Sequence, residues 1–319
     1  MIVRWGLEQL EPLLRELGIR EPFLVASDRW ADLQVRSTGR WAEVPTDRIA
    51  DVVAAAAGAD GLLVVGGGSA IDLAKAVSSE TGLPLVSVPT TYSGAEWTGF
   101  YGIRNPDRRQ KGGGSGAHPA GIVYEPRLTL ELTPGQSGGT ALNALAHCAE
   151  ALYVAGHNPE GDREALAGAR LIGEALPRVL ADGQDLEART ALLQGAAHAG
   201  AALASAGLAL GHAMAQAIGG RYGIAHGAAN ALCLPPALRF NQPVAAAAIA
   251  RFGEALGAEP VERSEELARL AGFERLRDLG VPEDELDEVA EAAAARPGAK
   301  ANPRPASPAE VAELLRSIW

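Results

Sequence analysis

Residues 61–91 read GLLVVGGGSAIDLAKAVSSETGLPLVSVPTT. Two apolar runs, 61–69 and 84–91, flank IDLAKAVSSETG, a segment with helical spacing that Gly82 stops. Strand, helix and strand joined by short connections make a parallel βαβ unit with a right-handed crossover. The same alternation extends upstream, where PFLVAS (22–27) is a short buried strand and DRIADVVAAAAGAD (47–60) is helical up to its glycine. The first 135 or so residues therefore read as an α/β domain.

After Thr133 and Pro134 the grammar changes to helices alone, at 136–155, 161–181, 186–218, 243–257, 261–278, 283–294 and 307–318. Gly, Asn and Pro punctuate them, and in ANPRPASP (301–308) Ser307 and Pro308 form an N-cap and a first helical residue. GGGSG (112–116) has no strand leading into it and no helix after it, which predicts a surface loop. A chain of 319 residues is long for one core. Two domains follow: 1–135, α/β, and 136–319, all-helical.

Composition removes several classes of function. A formal net charge of -11 with no basic stripe opposes nucleic-acid binding, which rests on clustered Lys and Arg. Hydrophobic content of 47% with 21% charged residues is that of a soluble globular protein. Cys148 and Cys233 lie in apolar stretches without CxxC spacing, as reduced cytoplasmic thiols do. MIVRWGLEQLEPLLRELG carries no apolar export segment. From Ala191 to Gly220 there is no charged residue, yet Ala and Gly interspersed with Gln194, His198, Ser205, His212 and Gln216 suit tightly packed buried helices better than a lipid-facing span.

Two stretches carry chemistry. In VVGGGSAIDLAK (64–75) a strand ends in three glycines that let a phosphate approach the backbone, and a helix then offers its free N–H groups and positive dipole end. Ser69 and Asp72 form an S-x-x-D capping pattern at that helix start. A structural turn is the competing reading. In TALNALAHCAE (140–150) Asn143 and His147 share a helical face, with Glu150 one turn on, as half a metal site or as a hydrogen-bonded core pair.

GGGSAIDLAK, then PTTYSGAEWTGFYGI, ALNALAHCAEALY and GHAMAQAIGGRYGIAHGAANALCLP, in that order, resemble the iron-containing alcohol dehydrogenase superfamily, which includes glycerol dehydrogenases and dehydroquinate synthases. The resemblance implies an N-terminal α/β nucleotide-binding domain and an all-α C-terminal domain with the active site in the cleft between them. PTTYSGAE, Lys111 after a GI-x-N turn, Asn143, and LRDLGVPEDELDEVAEAAA (276–294) before NPRP are similar to the maleylacetate reductases, which reduce maleylacetate to 3-oxoadipate in aromatic-compound degradation. Gly67, Gly68 and Ser69 would hold the pyrophosphate, and Asp72, through its capping pattern with Ser69, counts among the cofactor-binding residues. Thr90, Thr91 and Tyr92 would line the nicotinamide side. Asp28 matches an acidic position that contacts the adenosine ribose, where a carboxylate accepts from the 2′-OH and repels a 2′-phosphate. That favours NADH; the adjacent Arg29 leaves NADPH open.

Metal-dependent relatives bind Fe²⁺ or Zn²⁺ through one Asp and three His, and the matching positions are Asn143, His147, His212 and His226. An amide supplies only a neutral oxygen where ferrous sites favour carboxylate. Three imidazoles with an open position can hold catalytic zinc. The resemblance implies a metal-free enzyme, with zinc on His147, His212 and His226 as the alternative. His212 and His226 then stand as catalytic candidates that stabilise the developing charge and release a proton, His147 and Asn143 orient them, Lys111 anchors a substrate carboxylate and Tyr92 donates to substrate. Where maleylacetate reductases carry more histidine, around HHKLCH and PHAETH, this chain reads GHAMAQ and AHGAAN. A zinc-dependent alcohol or polyol dehydrogenase and a non-redox or non-catalytic dinucleotide-binding member are the alternative functions. A homodimer in the cytoplasm is the expected setting.

Overall fold

The computed structural model describes residues 1–105 and 110–319, with the side chains of 104, 105 and 110–113 outside the description. It divides into two compact units: Met1–Thr91 with Ala95–Thr129, and Tyr92–Gly94 with Leu130–Trp319.

The first unit is built on a six-stranded parallel sheet in the order β1 (Ile2–Trp5), β8 (Gly121–Tyr124), β5 (Leu85–Pro89), β4 (Gly61–Gly66), β2 (Pro22–Val25), β3 (Gly39–Trp41). Its helices are α1 (Leu10–Glu16), α2 (Ile49–Ala55) and α3 (Gly68–Thr81). Alternate strand residues serve opposite faces. Phe23, Val25, Leu62, Val64 and Leu85 pack with Val52 of α2 and Ile71, Ala74 and Val77 of α3. Leu24, Leu63, Val65, Val86 and Val88 pack with Leu10, Leu13 and Leu14 of α1. Each fully buried aliphatic side chain contributes roughly 1.5–3 kcal/mol. Burial on both faces is why these strands read as unbroken apolar runs.

The chain crosses from β2 to β3 on one side and from β4 to β5 on the other, so the carboxyl ends of β2 and β4 flank a topological switch point, where α/β sheets bind their ligands. The strands at both edges of the sheet, β1 and β3, and the inner strand β8 are short and lack a long apolar run.

The expected surface loop at 112–116 is instead strand. β6 (Phe100–Asn105) and β7 (Gln110–Ser115) form an antiparallel pair, with Gly102 opposite Gly113. Poor strand propensity of glycine hid it. A fully buried lysine ties this hairpin to α3: Lys75 Nζ donates to Phe100 O at 2.6 Å and Ala95 O at 2.9 Å, and pairs with Asp72 at 3.0 Å.

Nearby, Trp97 Nε1 donates to the Tyr124 hydroxyl at 2.8 Å, which donates to Glu96 Oε1 at 2.7 Å. Burial raises the Glu96 carboxyl above the usual carboxylate range, opposed by the Tyr124 hydrogen bond and Lys75. A raised folded-state pKa favours the protonated form, so its contribution is full below the unfolded pKa and is lost as pH rises through the folded one. Glu96→Gln mimics the protonated group. The Tm of the wild type is therefore expected to fall relative to this variant as pH rises from about 5 to about 8. A pH-independent gap in thermal melts contradicts this.

The second unit is helical: α4 (Pro134–Ala151), α5 (Pro159–Ala181), α6 (Leu186–Ala206), α7 (Leu210–Tyr222), α8 (His226–Leu256), α9 (Pro260–Leu270), α10 (Leu286–Ala294), α11 (Pro297–Lys300) and α12 (Pro308–Ser317). Thr133 with Gln136 and Ser307 with Glu310 form capping boxes, and Asn158 and Asp185 cap α5 and α6. The helix expected at 186–218 is two, bent by 102° between Ala206 and Leu210, where Gly207 has φ 98°. Among the described residues no single helix is long and apolar enough to cross a membrane. α8 is two helices joined across a kink at Ala245: the second matches the helix expected at 243–257, and the first, from His226 through Pro235, Pro236 and Pro243, was not expected. The span expected at 261–278 ends at Leu270. Cys148 and Cys233 are free and buried, and burial pushes both thiols far up.

Candidate active site

At the carboxyl end of β4, α3 starts at Gly68 with Gly67 as an extended N-cap. No side chain caps it and no acidic residue lies in its first turn, so its N–H groups and positive dipole end are left for an anion. The backbone here has no room for side chains: a Cβ on Gly67 would lie 2.8 Å from Thr91 Cγ2, and one on Gly66 would lie 2.6 Å from Ala70 Cβ. The expected Ser69–Asp72 cap does not form. Ser69 lies inside the helix and is exposed. Asp72 is spent on Gly102 N, 3.0 Å away, and on Lys75. Thr90 is buried with its N–H on Gly66 O at 3.0 Å, and Thr91 Oγ1 is buried without a partner. Asp28 follows β2, its side chain 90% exposed and 3.4 Å from Arg40. Arg40 also donates to Ala26 O at 2.9 Å, which fixes the chain leading to Asp28. These glycines and Asp28 thus stand at the two strand ends that flank the switch point.

In the second unit α4, α7 and α8 bring the three expected imidazoles together. His147 and His212 stack with centroids 4.6 Å apart and planes at 17°, and His212 meets His226 at 5.7 Å and 52°. Burial first, and then the charges of His212 and His226, hold the His147 imidazole well below the ordinary histidine range. His147 is therefore a neutral ring at physiological pH. Its Nδ1 and the His212 Nε2 are buried polar atoms without partners, which ordinarily cost about 1–3 kcal/mol each.

Asn143 is a hub. Its Nδ2 donates to Ser93 O at 3.1 Å, and its Oδ1 accepts from Asn230 Nδ2 at 2.8 Å. Asn230, one turn after His226 on α8, also places Nδ2 3.0 Å from His226 Nε2. Neither Asn230 nor the Glu150 contacts was assigned a role from sequence; the i, i+4 spacing within HGAAN was the available signal for Asn230.

Tyr92 does not face a substrate space as expected. Its side chain is fully buried, and its hydroxyl accepts from Arg189 Nη1 at 3.2 Å, while its N–H lies 3.4 Å from Thr140 Oγ1. Arg189 itself is buried and bonded to Ser137 Oγ at 2.8 Å and to Gly183 O at 3.0 Å. Tyr92 and Arg189 thus tie 92–94 to the helical unit. The Lys111 side chain lies outside the described residues.

Among the described residues no three His, Cys, Asp or Glu side chains are grouped so as to hold a divalent ion. His147 and His212 lie face to face, the Asn143 oxygen is engaged by Asn230, and the nearest carboxylate, Glu150, is spent on α7. An iron site wants an anionic oxygen, and the position is held by the Asn143 amide.

Residues 138–319 match the model of the Fe-containing alcohol dehydrogenase family, C-terminal, and residues 4–122 match that of iron-containing alcohol dehydrogenase. The chain belongs to the iron-containing alcohol dehydrogenase family. As such it is an oxidoreductase. The maleylacetate reductase of Burkholderia cepacia is 36% identical over 274 residues, covering 85% of this chain and 77% of the relative. Maleylacetate reductase 2 of Cupriavidus pinatubonensis is 32% identical over 98% of this chain and 92% of the relative. The crystal structure of maleylacetate reductase from a Rhizobium species superposes with a TM-score of 0.90 at 30% identity, covering 100% of this chain and 95% of that one. That of an alcohol dehydrogenase from Ralstonia eutropha gives 0.93 at 33% identity, with 100% and 95% covered. The two-part α/β and all-helical architecture is thus that of the family, whose members include maleylacetate reductases.

Proposed function

We propose that the protein is an NAD(P)H-dependent reductase of maleylacetate or a similar small unsaturated oxo-acid, working without a metal ion. The observation that carries this reading is Asn143: its amide, held by Ser93 and Asn230, occupies the position where a ferrous site favours a carboxylate. The similarity to maleylacetate reductases supports the substrate class. A cytoplasmic homodimer acting in aromatic-compound degradation is the setting that the family resemblance suggests.

Bound dinucleotide supplies the hydride. The uncapped start of α3 after Gly67 offers its N–H groups to a pyrophosphate, and Asp28 at the switch point favours NADH by accepting from the ribose 2′-OH. Hydride addition to the carbon–carbon double bond of a conjugated oxo-acid moves negative charge onto the carbonyl oxygen. That enolate needs placed donors. A proton on His212 Nε2 would be donated to that oxygen, giving the enol, which tautomerises to the saturated oxo-acid. His147, neutral, packs flat on the His212 ring and holds its plane. Asn230 and Asn143 fix the His226 ring edge, and Lys111 is the candidate partner of a substrate carboxylate.

The test is consumption of NADH and NADPH by the purified protein with maleylacetate, saturated oxo-acids, aldehydes and glycerol. Turnover highest with maleylacetate or another unsaturated oxo-acid, and with NADH, is the expected result. Turnover of glycerol or simple alcohols alone would refute it.

A further inference from the structure

We propose that Glu150 is a positioning residue, a buried carboxylate that locks His212 in the Nδ1–H tautomer and presents Nε2 to the substrate. The proposal rests on the reading of His212 given above. Glu150 lies on α4, fully buried, and no Lys or Arg pairs with it among the described residues. A carboxylate taken out of water without a cation needs hydrogen bonds to its charged form. All of those come from α7 and its first residues. Glu150 Oε2 accepts from Ala209 N at 2.6 Å and from His212 Nδ1 at 2.9 Å, and Oε1 accepts from His212 N at 3.0 Å.

The geometry does two things with one side chain. Helix α7 has no side-chain cap of its own, and Ala209 at its N-cap cannot supply one. Glu150 provides that cap from another helix, against the positive dipole end. Because the carboxylate accepts at Nδ1, the neutral His212 ring carries its proton there. Nε2 is then the free edge, and it is the buried atom that lacks a partner. The same carboxylate offsets positive charge on the ring when Nε2 is protonated, as a carboxylate does for a general acid–base histidine. The close approach depends on Gly211, where a Cβ would lie 2.8 Å from Glu150 Oε1.

A purely structural cap would hold the backbone and leave the imidazole indifferent, so the test reads the ring. In the full-length wild type, long-range ¹H–¹⁵N spectra of the neutral ring should show His212 as the Nδ1–H tautomer. In Glu150→Gln that signal should shift toward a mixture. A wild-type ring protonated on Nε2, or a tautomer unchanged in the variant, overturns the proposal, and neither readout depends on which oxo-acid is the substrate. In kinetics, Glu150→Gln should lower kcat by about 100-fold with KM and NADH affinity unchanged. Adding it to His212→Asn should cost nothing more; an additive loss would mean that Glu150 acts only on the helix. Should Glu150→Gln fail to fold, the wild-type spectrum still decides, and Gly211→Ala, which displaces the carboxylate while keeping it, should reproduce the tautomer shift.

Discussion

His212→Asn is expected to lower kcat for oxo-acid reduction by about 10²–10⁴-fold, the range for removal of a positioned proton donor, while NADH binding and Tm stay close to wild type. The substitution is chosen for what it keeps. An asparagine amide can occupy the place of Nδ1 and still donate to Glu150, which takes the wild-type contact at 2.9 Å. Only the Nε2 edge is removed. That edge is the group to which the account gives both charge stabilisation and proton release, so the loss should fall on kcat and not on KM. His147→Asn should cost less, because the His147 ring, held neutral by burial, supplies packing but no proton. Steady-state kinetics on both variants, with NADH titrations, would check this ordering; equal losses would show that the cluster acts through ring packing alone.

The second large effect falls on the fold around the site. Gly227 directly follows His226, and a Cβ there would lie 2.4 Å from both C and O of Gly139 and 2.9 Å from Thr140 N. All three are backbone atoms of α4, so no side chain can rotate away. Gly227→Ala should therefore force α4 and α8 apart at the cost of about 1–3 kcal/mol or more. The separation should break the 2.8 Å bond between Asn230 and Asn143, releasing His226. Denaturant unfolding should show a lower midpoint, and activity should fall further than stability alone explains. A variant as stable and active as the wild type would mean that this helix crossing is looser than described.

How much of this was legible in the sequence follows from the range of the interactions. The βαβ unit announced itself because β4 and β5 are buried on both faces, leaving long apolar runs. The four-residue β1 and three-residue β3 carry too few residues for any periodicity to show. The start of α3 was legible as a glycine turn, but Asp72 was misread as a cap because its partners, Gly102 and Lys75, include a strand 30 residues on. The first half of α8 was hidden by Pro235 and Pro236, which local propensity treats as helix stops. In the site, Asn143 and His147 were readable from i, i+4 spacing on one helix. His212 and His226 were readable only through resemblance to a family. The partnership of Glu150 with residues 59 and 62 positions away had no local signal at all. Tyr92 was assigned to the nicotinamide and substrate side by family resemblance, whereas it packs as a strand-end tyrosine commonly does, with the buried guanidinium of Arg189 on its hydroxyl.

The claim that the reduction proceeds through placed imidazole and amide groups without a divalent ion is tested most directly by dialysing the purified protein exhaustively against EDTA and measuring both its metal content and its NADH-dependent reduction of maleylacetate. The account predicts well under one metal ion per chain and a kcat within about twofold of the untreated protein. Loss of turnover on dialysis, restored by stoichiometric zinc or ferrous ion, would contradict it.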